Sequence, residues 1–159
     1  MVPSARADEI VTSSVGAASL DQPATYPANL TIGTFSFSIP SWDTLIGASV
    51  SGYFGNALVP TTAPGTFYIG GVQVAACNVT DPCYSADSET AWSYSFTPDQ
   101  LAVLQSGSAD FTVIQTGDFQ IQTDTTTLTL DLQVPEPATV ALMATALLGL
   151  GLQRRGARK

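Results

Sequence analysis

The sequence predicts an all-β protein: an antiparallel β-sandwich, jelly-roll-like, with one short helix in its body and a separate apolar helix at its C-terminus. Three observations predict it. Short runs alternate apolar with polar residues, and turn formers separate the runs every ~8–12 residues, the spacing of sandwiches and jelly rolls. Thr, Ser, Val and aromatics are abundant while the helix formers Lys and Glu are scarce, a composition that suits pleated, half-buried strands. Only one segment of the body carries helix signals at both of its ends.

Taken in order, residues 8–29 show little periodicity and hold Gln22-Pro23 and Tyr26-Pro27, which predicts an extended lead-in with one strand around residues 9–13. Leu30 and Ile32 then fall on one parity and Phe35, Phe37 and Ile39 on the other. Gly33 lies at the change, so a bulge is expected there. Ile46, Ala48, Val50 and Phe54 alternate in the next strand, and "FGNALVPTTAPG" reads as a loop. "FYIGGVQVAAC" is a hairpin signal, because Gly70-Gly71 can supply the positive φ angles of a two-residue turn between Phe67, Ile69 and Val72, Val74, Ala76. Trp92, Tyr94 and Phe96 alternate in a further strand, with their rings expected in the core.

"TPDQLAVLQSG" is the helical element. Thr97 is its cap, Pro98 its first residue, Gln100 the capping-box partner and Gly107 its closing glycine. Phe111 and Val113 begin a strand that turns at Gly117-Asp118, and Phe119 and Ile121 continue it. Leu128, Leu130 and Leu132 make the last strand.

The charge distribution narrows the functions open to this body. All five basic residues are Arg6, Arg154, Arg155, Arg158 and Lys159, so residues 8–133 contain neither Lys nor Arg. Twelve of the thirteen acidic residues fall in that span. Such a body repels nucleic acid, whose phosphates need cations, and its own repulsion keeps it soluble. It also has no internal salt bridge to draw on, so its fold must rest on apolar burial and backbone hydrogen bonds.

The end of the chain, "VPEPATVALMATALLGLGLQRRGARK", is of a different kind. Pro135 and Pro137 push their neighbours towards an extended, stiff peptide. Residues 138–152 carry no charge; as a helix they would reach roughly 22 Å at 1.5 Å per residue. That is short of a ~30 Å hydrocarbon core, but local thinning and flanking residues close such gaps. The apolar residues fall on every face, unlike those of an ordinary buried C-terminal helix with a polar stripe. Arg154, Arg155, Arg158 and Lys159 follow, and basic residues beside an apolar helix stay cytoplasmic.

Val134-Pro135-Glu136-Pro137, an apolar helix and an Arg-rich terminus together resemble the PEP-CTERM sorting signal of Gram-negative bacteria. Pro135, Glu136 and Pro137 match the motif that names the family; the basic cluster matches less tightly, since Gly156 and Ala157 interrupt it. The resemblance covers residues 134–159 and stops at the body. It implies an exosortase as partner, a transient stay in the inner membrane and cleavage near Pro-Glu-Pro. It also implies delivery to the cell surface or extracellular matrix, often in species that make exopolysaccharide. At the other end, Ala5-Arg6-Ala7 has the small-x-small form of a signal-peptidase site. Residues 1–7 are therefore expected to be a signal-peptide remnant, residues 8–133 the sandwich domain and residues 134–159 the sorting segment.

Cys77 and Cys83 are the only cysteines. In an exported protein, two cysteines this close suggest a disulfide, and Asp81-Pro82 favours the turn between them; a free pair stays open on the geometric requirement. With no histidine and no further cysteine, a metal site is poorly supplied.

The chain offers little for catalysis. The absence of His removes the commonest general base, and the absence of Lys from the body removes Schiff-base chemistry. A carboxylate pair for glycoside hydrolysis would have to come from Asp43, Asp87 or Glu89, and a calcium-dependent adhesin from the scattered Asp118, Asp124 and Asp131. The expectation is a protein with no catalytic residues and no cofactor. Two non-catalytic classes stand: a structural component of the extracellular layer, and a carbohydrate-binding module. Trp42, Tyr53, Tyr84 and Trp92 are the aromatics available for stacking on sugar, and Trp42, in a loop after Pro40-Ser41, is the candidate of choice.

Overall fold

The computed structural model describes residues 7–20, 25–41, 43–54, 65–77, 90–117 and 121–135. They form β1 (Ala7–Val15), β2 (Ala18–Leu20), β3 (Ala28–Ser36), β4 (Thr44–Phe54), β5 (Gly65–Ile69), β6 (Val72–Cys77), β7 (Thr90–Ser95), a 3-10 helix (Pro98–Leu104), β8 (Ser108–Gln115), β9 (Ile121–Thr123) and β10 (Thr126–Val134). Every strand pairing is antiparallel. One sheet runs β1-β10-β4-β9-β2 with β7 on the other edge of β4; the second runs β3-β8-β5-β6.

The larger sheet is simpler than its six strands suggest. Val15 faces Thr126, and the ladder resumes in the same register with Ala18 against Thr123. Residues 16–17 and 124–125 thus stand opposite each other as a shared interruption. Counted as single interrupted strands, β1/β2 and β9/β10 leave four strands in each sheet. In chain order the first strand then lies beside the last, the last beside the third and the third beside the sixth. In the other sheet the second lies beside the seventh, the seventh beside the fourth and the fourth beside the fifth. That is the strand order of a jelly roll, as the alternation predicts.

The two sheets meet through one apolar core. Phe35, Phe67, Phe111 and Ile69 from the smaller sheet pack against Val50, Phe54, Leu128, Leu130 and Leu132 from the larger. Aromatic rings meet across the gap, with Phe54 and Phe67 centroids 5.0 Å apart and Trp92 and Phe111 centroids 6.0 Å apart, while Phe54 and Trp92 stack at 5.7 Å within the larger sheet. Each such side chain, taken fully out of water, contributes about 1.5–3 kcal/mol.

Bulges decide which parity faces this core. At Gly33 the register of β3 on β8 shifts between Thr31 and Gly33, where the sequence places the break. A second shift is not legible in the alternation. Asp131 faces Gly47 but Leu132 faces Leu45, so Ile46 is an extra residue on β4. Leu45 is consequently buried, and Ile46, expected inside, is 46% exposed. A third lies in β6, where Phe67 faces Ala75 and Tyr68 faces Gln73. Val74 is the extra residue there, and beyond it Cys77 enters the core in place of Ala76. The lead-in also holds more strand than its weak periodicity predicts, because β1 and β2 form an edge and only part of that edge is buried.

The hairpin joining β5 and β6 follows its glycines. Gly70 and Gly71 take φ of 56° and 85°, a turn conformation that a side chain would strain. The predicted helix is present but is of the 3-10 type. Leu101 and Leu104, the buried pair, are three residues apart, which a three-residue turn puts on one side. The Thr97 amide donates to Gln100 Oε1 at 2.9 Å, and Tyr94 Oη donates to the same oxygen at 2.9 Å. The capping glutamine therefore also ties the helix to β7.

Leu45→Ala should lower stability by about 2–5 kcal/mol through cavity formation. Ile46→Ala should change it by roughly 0.5 kcal/mol or less, as exposed positions do. Urea midpoints of the two variants check the assignment of the bulge, and a larger loss at Ile46 would contradict it.

Candidate functional site

The sorting segment leaves the body from the middle of a sheet. β10 lies between β1 and β4, and Gln133 is paired on both sides, with Asp8 and with Thr44. Val134 makes the last pairing, with Ala7, and Pro135 is exposed. Proline has no N–H to carry the ladder further, so the strand stops where the motif begins. The strands extend one residue past the expected domain boundaries at both ends, since Ala7 and Val134 are partners. Glu136 and Pro137 lie outside the described residues, as do Arg154, Arg155, Arg158 and Lys159 and the apolar helix expected over residues 138–152. Among the described residues no helix is long and apolar enough to cross a membrane.

Cys77 ends β6, buried, opposite Gly65 of β5. Cys83 lies outside the described residues, and among those described there is no free cysteine. Trp42 also lies outside them. Its neighbour Asp43 is half-buried at the start of β4; its amide donates to the Pro40 carbonyl at 3.0 Å, while Oδ1 is buried without a partner. Thr90, the residue after Glu89, pairs with Phe54 at the far end of β4. Asp43 and Phe54 are separated by the length of β4, roughly 35 Å at ~3.3 Å per residue; Asp87 and Glu89 lie outside the described residues. Among the described residues no three potential metal ligands come together; Asp124 and Asp131 are separated along the last strands.

Trp92 and Tyr94 point inward and are half-buried against the core, as the alternation predicts. Gly52 makes the room for Trp92. A Cβ at Gly52 would lie 2.7 Å from Thr126 Oγ1 and 3.2 Å from the indole Nε1 and Cζ2. The indole N–H is buried there without a hydrogen-bond partner.

On the opposite, outer face of the same strands is a shallow groove of about 400 Å³. Ser51, Tyr53, Ala91, Ser93, Thr125 and Thr127 line it together with Gly52 and Trp92. Tyr53 is 46% exposed at its rim. Its carbonyl accepts from the Asp124 amide at 3.0 Å, which fixes the rim where β9 passes into β10. The sequence named Tyr53 only among several aromatics. Its outward parity between buried Gly52 and Phe54 was the available signal.

Residues 133–155 match the family model of the PEP-CTERM protein-sorting motif. No curated protein matches the chain in sequence. The C-terminal tail therefore carries a PEP-CTERM signal, which implies an exported protein that an exosortase sorts and that is processed at the membrane.

Gly52→Ala should destabilise the sandwich by about 1–3 kcal/mol, the usual cost of overpacking a filled site. Urea unfolding followed by tryptophan emission tests it, and an unchanged midpoint would mean that the indole does not sit over Gly52.

Proposed function

We propose that the chain is a non-catalytic surface or extracellular-matrix protein of a Gram-negative bacterium. In this reading residues 138–152 hold it briefly in the inner membrane, with Arg154, Arg155, Arg158 and Lys159 on the cytoplasmic side. An exosortase then cuts near Pro135-Glu136-Pro137 and releases the sandwich. The observation that carries this reading is the junction itself: a complete strand up to Val134, then the motif with no intervening linker. A peptide bond inside a doubly paired strand is shielded, whereas the first unpaired residues are open to a peptidase. The cut therefore falls after Val134 and leaves the sandwich whole. Ala5-Arg6-Ala7 fits the same logic at the other end, because among the described residues the sheet loses one pairing, that of Ala7 with Val134, when the leader is removed.

What supports a non-catalytic body is the missing chemistry: no His in the chain and no Lys or Arg in residues 8–133. Cys77 and Cys83 form an intramolecular disulfide in this reading, supported by the buried, strand-end position of Cys77 and by export to an oxidising compartment. So short a loop contributes about 2 kcal/mol.

Mass spectrometry of protein recovered from the host's surface should give a start at Asp8 and an end between Val134 and Pro137. A mature species that retains Arg154 to Lys159 would defeat the sorting assignment. Peptide mapping without reductant should return Cys77 linked to Cys83, with free thiols at both as the contrary result.

A further inference from the structure

The outer face of the larger sheet is built as a regular field of hydroxyl groups. Pairing aligns Ser93, Ser51, Thr127 and Ser14 in one row across β7, β4, β10 and β1. It aligns Ser95, Ser49, Thr129 and Thr12 in the next. Neighbouring hydroxyls in a row are set by the ~4.8 Å strand spacing, and the rows by two residues, ~6.8 Å. All eight side chains are exposed or half-exposed, and neither row contains a charge. Ser14 and Thr127 bond to each other at 3.1 Å. Among the described residues the other six hydroxyls have no protein partner. The groove at Tyr53 closes the field at one end.

We propose that this face binds a neutral polysaccharide, with the Tyr53 ring as a stacking platform and Ser51, Ser93 and Thr127 as hydrogen-bond partners in the groove. Three features select this ligand. Ser and Thr hydroxyls both donate and accept, so they match a polymer whose own groups are hydroxyls in many orientations. The chain's net charge of −8 and its lack of any cation in residues 8–133 turn away acidic polymers. A protein partner would look for aromatic and Arg anchors in an apolar centre, and among the described residues of this face Tyr53 is the one exposed large ring. The repeat of the rows lets one extended chain meet several hydroxyls at once. This takes up the carbohydrate-binding class left open by the sequence and moves the stacking residue from Trp42 to Tyr53. It does not depend on the sorting reading: the outcome at the tail and the outcome at this face are measured separately.

Affinity electrophoresis of the full chain in mild detergent tests it, with hydroxyethylcellulose, dextran and galactomannan as neutral probes and alginate as the acidic one. At least one neutral polymer should retard the protein, and alginate should not. Tyr53→Ala should weaken the retardation about tenfold or more, the scale of one aromatic hot spot, while Tyr53→Phe keeps it. Ser93→Glu, outward on an edge strand, should abolish it by placing a charge in the groove, with an unchanged urea midpoint. Ile10→Ser, beyond the rows on the same face, should have no effect. Absence of retardation by all three neutral polymers, equal retardation by alginate, or full binding by Tyr53→Ala and Ser93→Glu would each overturn the proposal.

Discussion

Burial of two apolar sheet faces against each other is the interaction on which everything else in this protein depends. With no Lys or Arg in residues 8–133, no internal ion pair can contribute to the sandwich, and its acidic groups repel one another. The compensating attraction comes from leucines of β10 and phenylalanines of β3, β5 and β8 that are almost wholly out of water. Backbone ladders add direction and order. Salt screens the repulsion among the exposed acidic groups and has no ion pair in this span to weaken.

Because the strands must keep their apolar side chains on this inner face, the bulges have consequences beyond local geometry. Each extra residue resets the parity of its strand. At Ile46 the reset turns an isoleucine outward and leaves Leu45 to complete the core. At Val74 it carries Cys77 inward at the strand's end, which is where the expected disulfide would anchor. The shared interruption at residues 16–17 and 124–125 does the opposite: it skips a level on both strands and preserves the register. The outer hydroxyl rows stay aligned up to that interruption, and the groove at Tyr53 lies beside it.

The same topology separates the sorting tail from the proposed binding face. The tail departs from one end of β10, next to Ala7. The groove lies towards the other end, at the level where β4 and β7 meet. The sorting tail and the groove therefore lie towards opposite ends of β10.

The sorting signal was legible in the sequence because its recognition rests on local order: prolines, charge-free residues and terminal basics, in a fixed succession that needs no tertiary context. The fold class was legible too, since two-residue alternation is a property of each strand alone, and Gly70-Gly71 and Gly33 announce their turn and bulge. What the tertiary structure decided was everything that depends on partners. Nothing in residues 44–54 reveals that Ile46 is the extra residue, because the shift is defined only against β10. Nor does one strand reveal that Ser51, Ser93, Thr127 and Ser14 form a row, since they are distant in the chain and pairing alone brings them together. The outward parity of Tyr53 is legible from the alternation of Val50 and Phe54, but the groove beside it is not, because β4, β7 and β10 form it together. The sequence by itself determined where the chain is sent and what kind of sheet it makes. The pairing of strands remote in sequence determined which residues that sheet presents, because side-chain direction in a strand is fixed by register and register is a relation between strands.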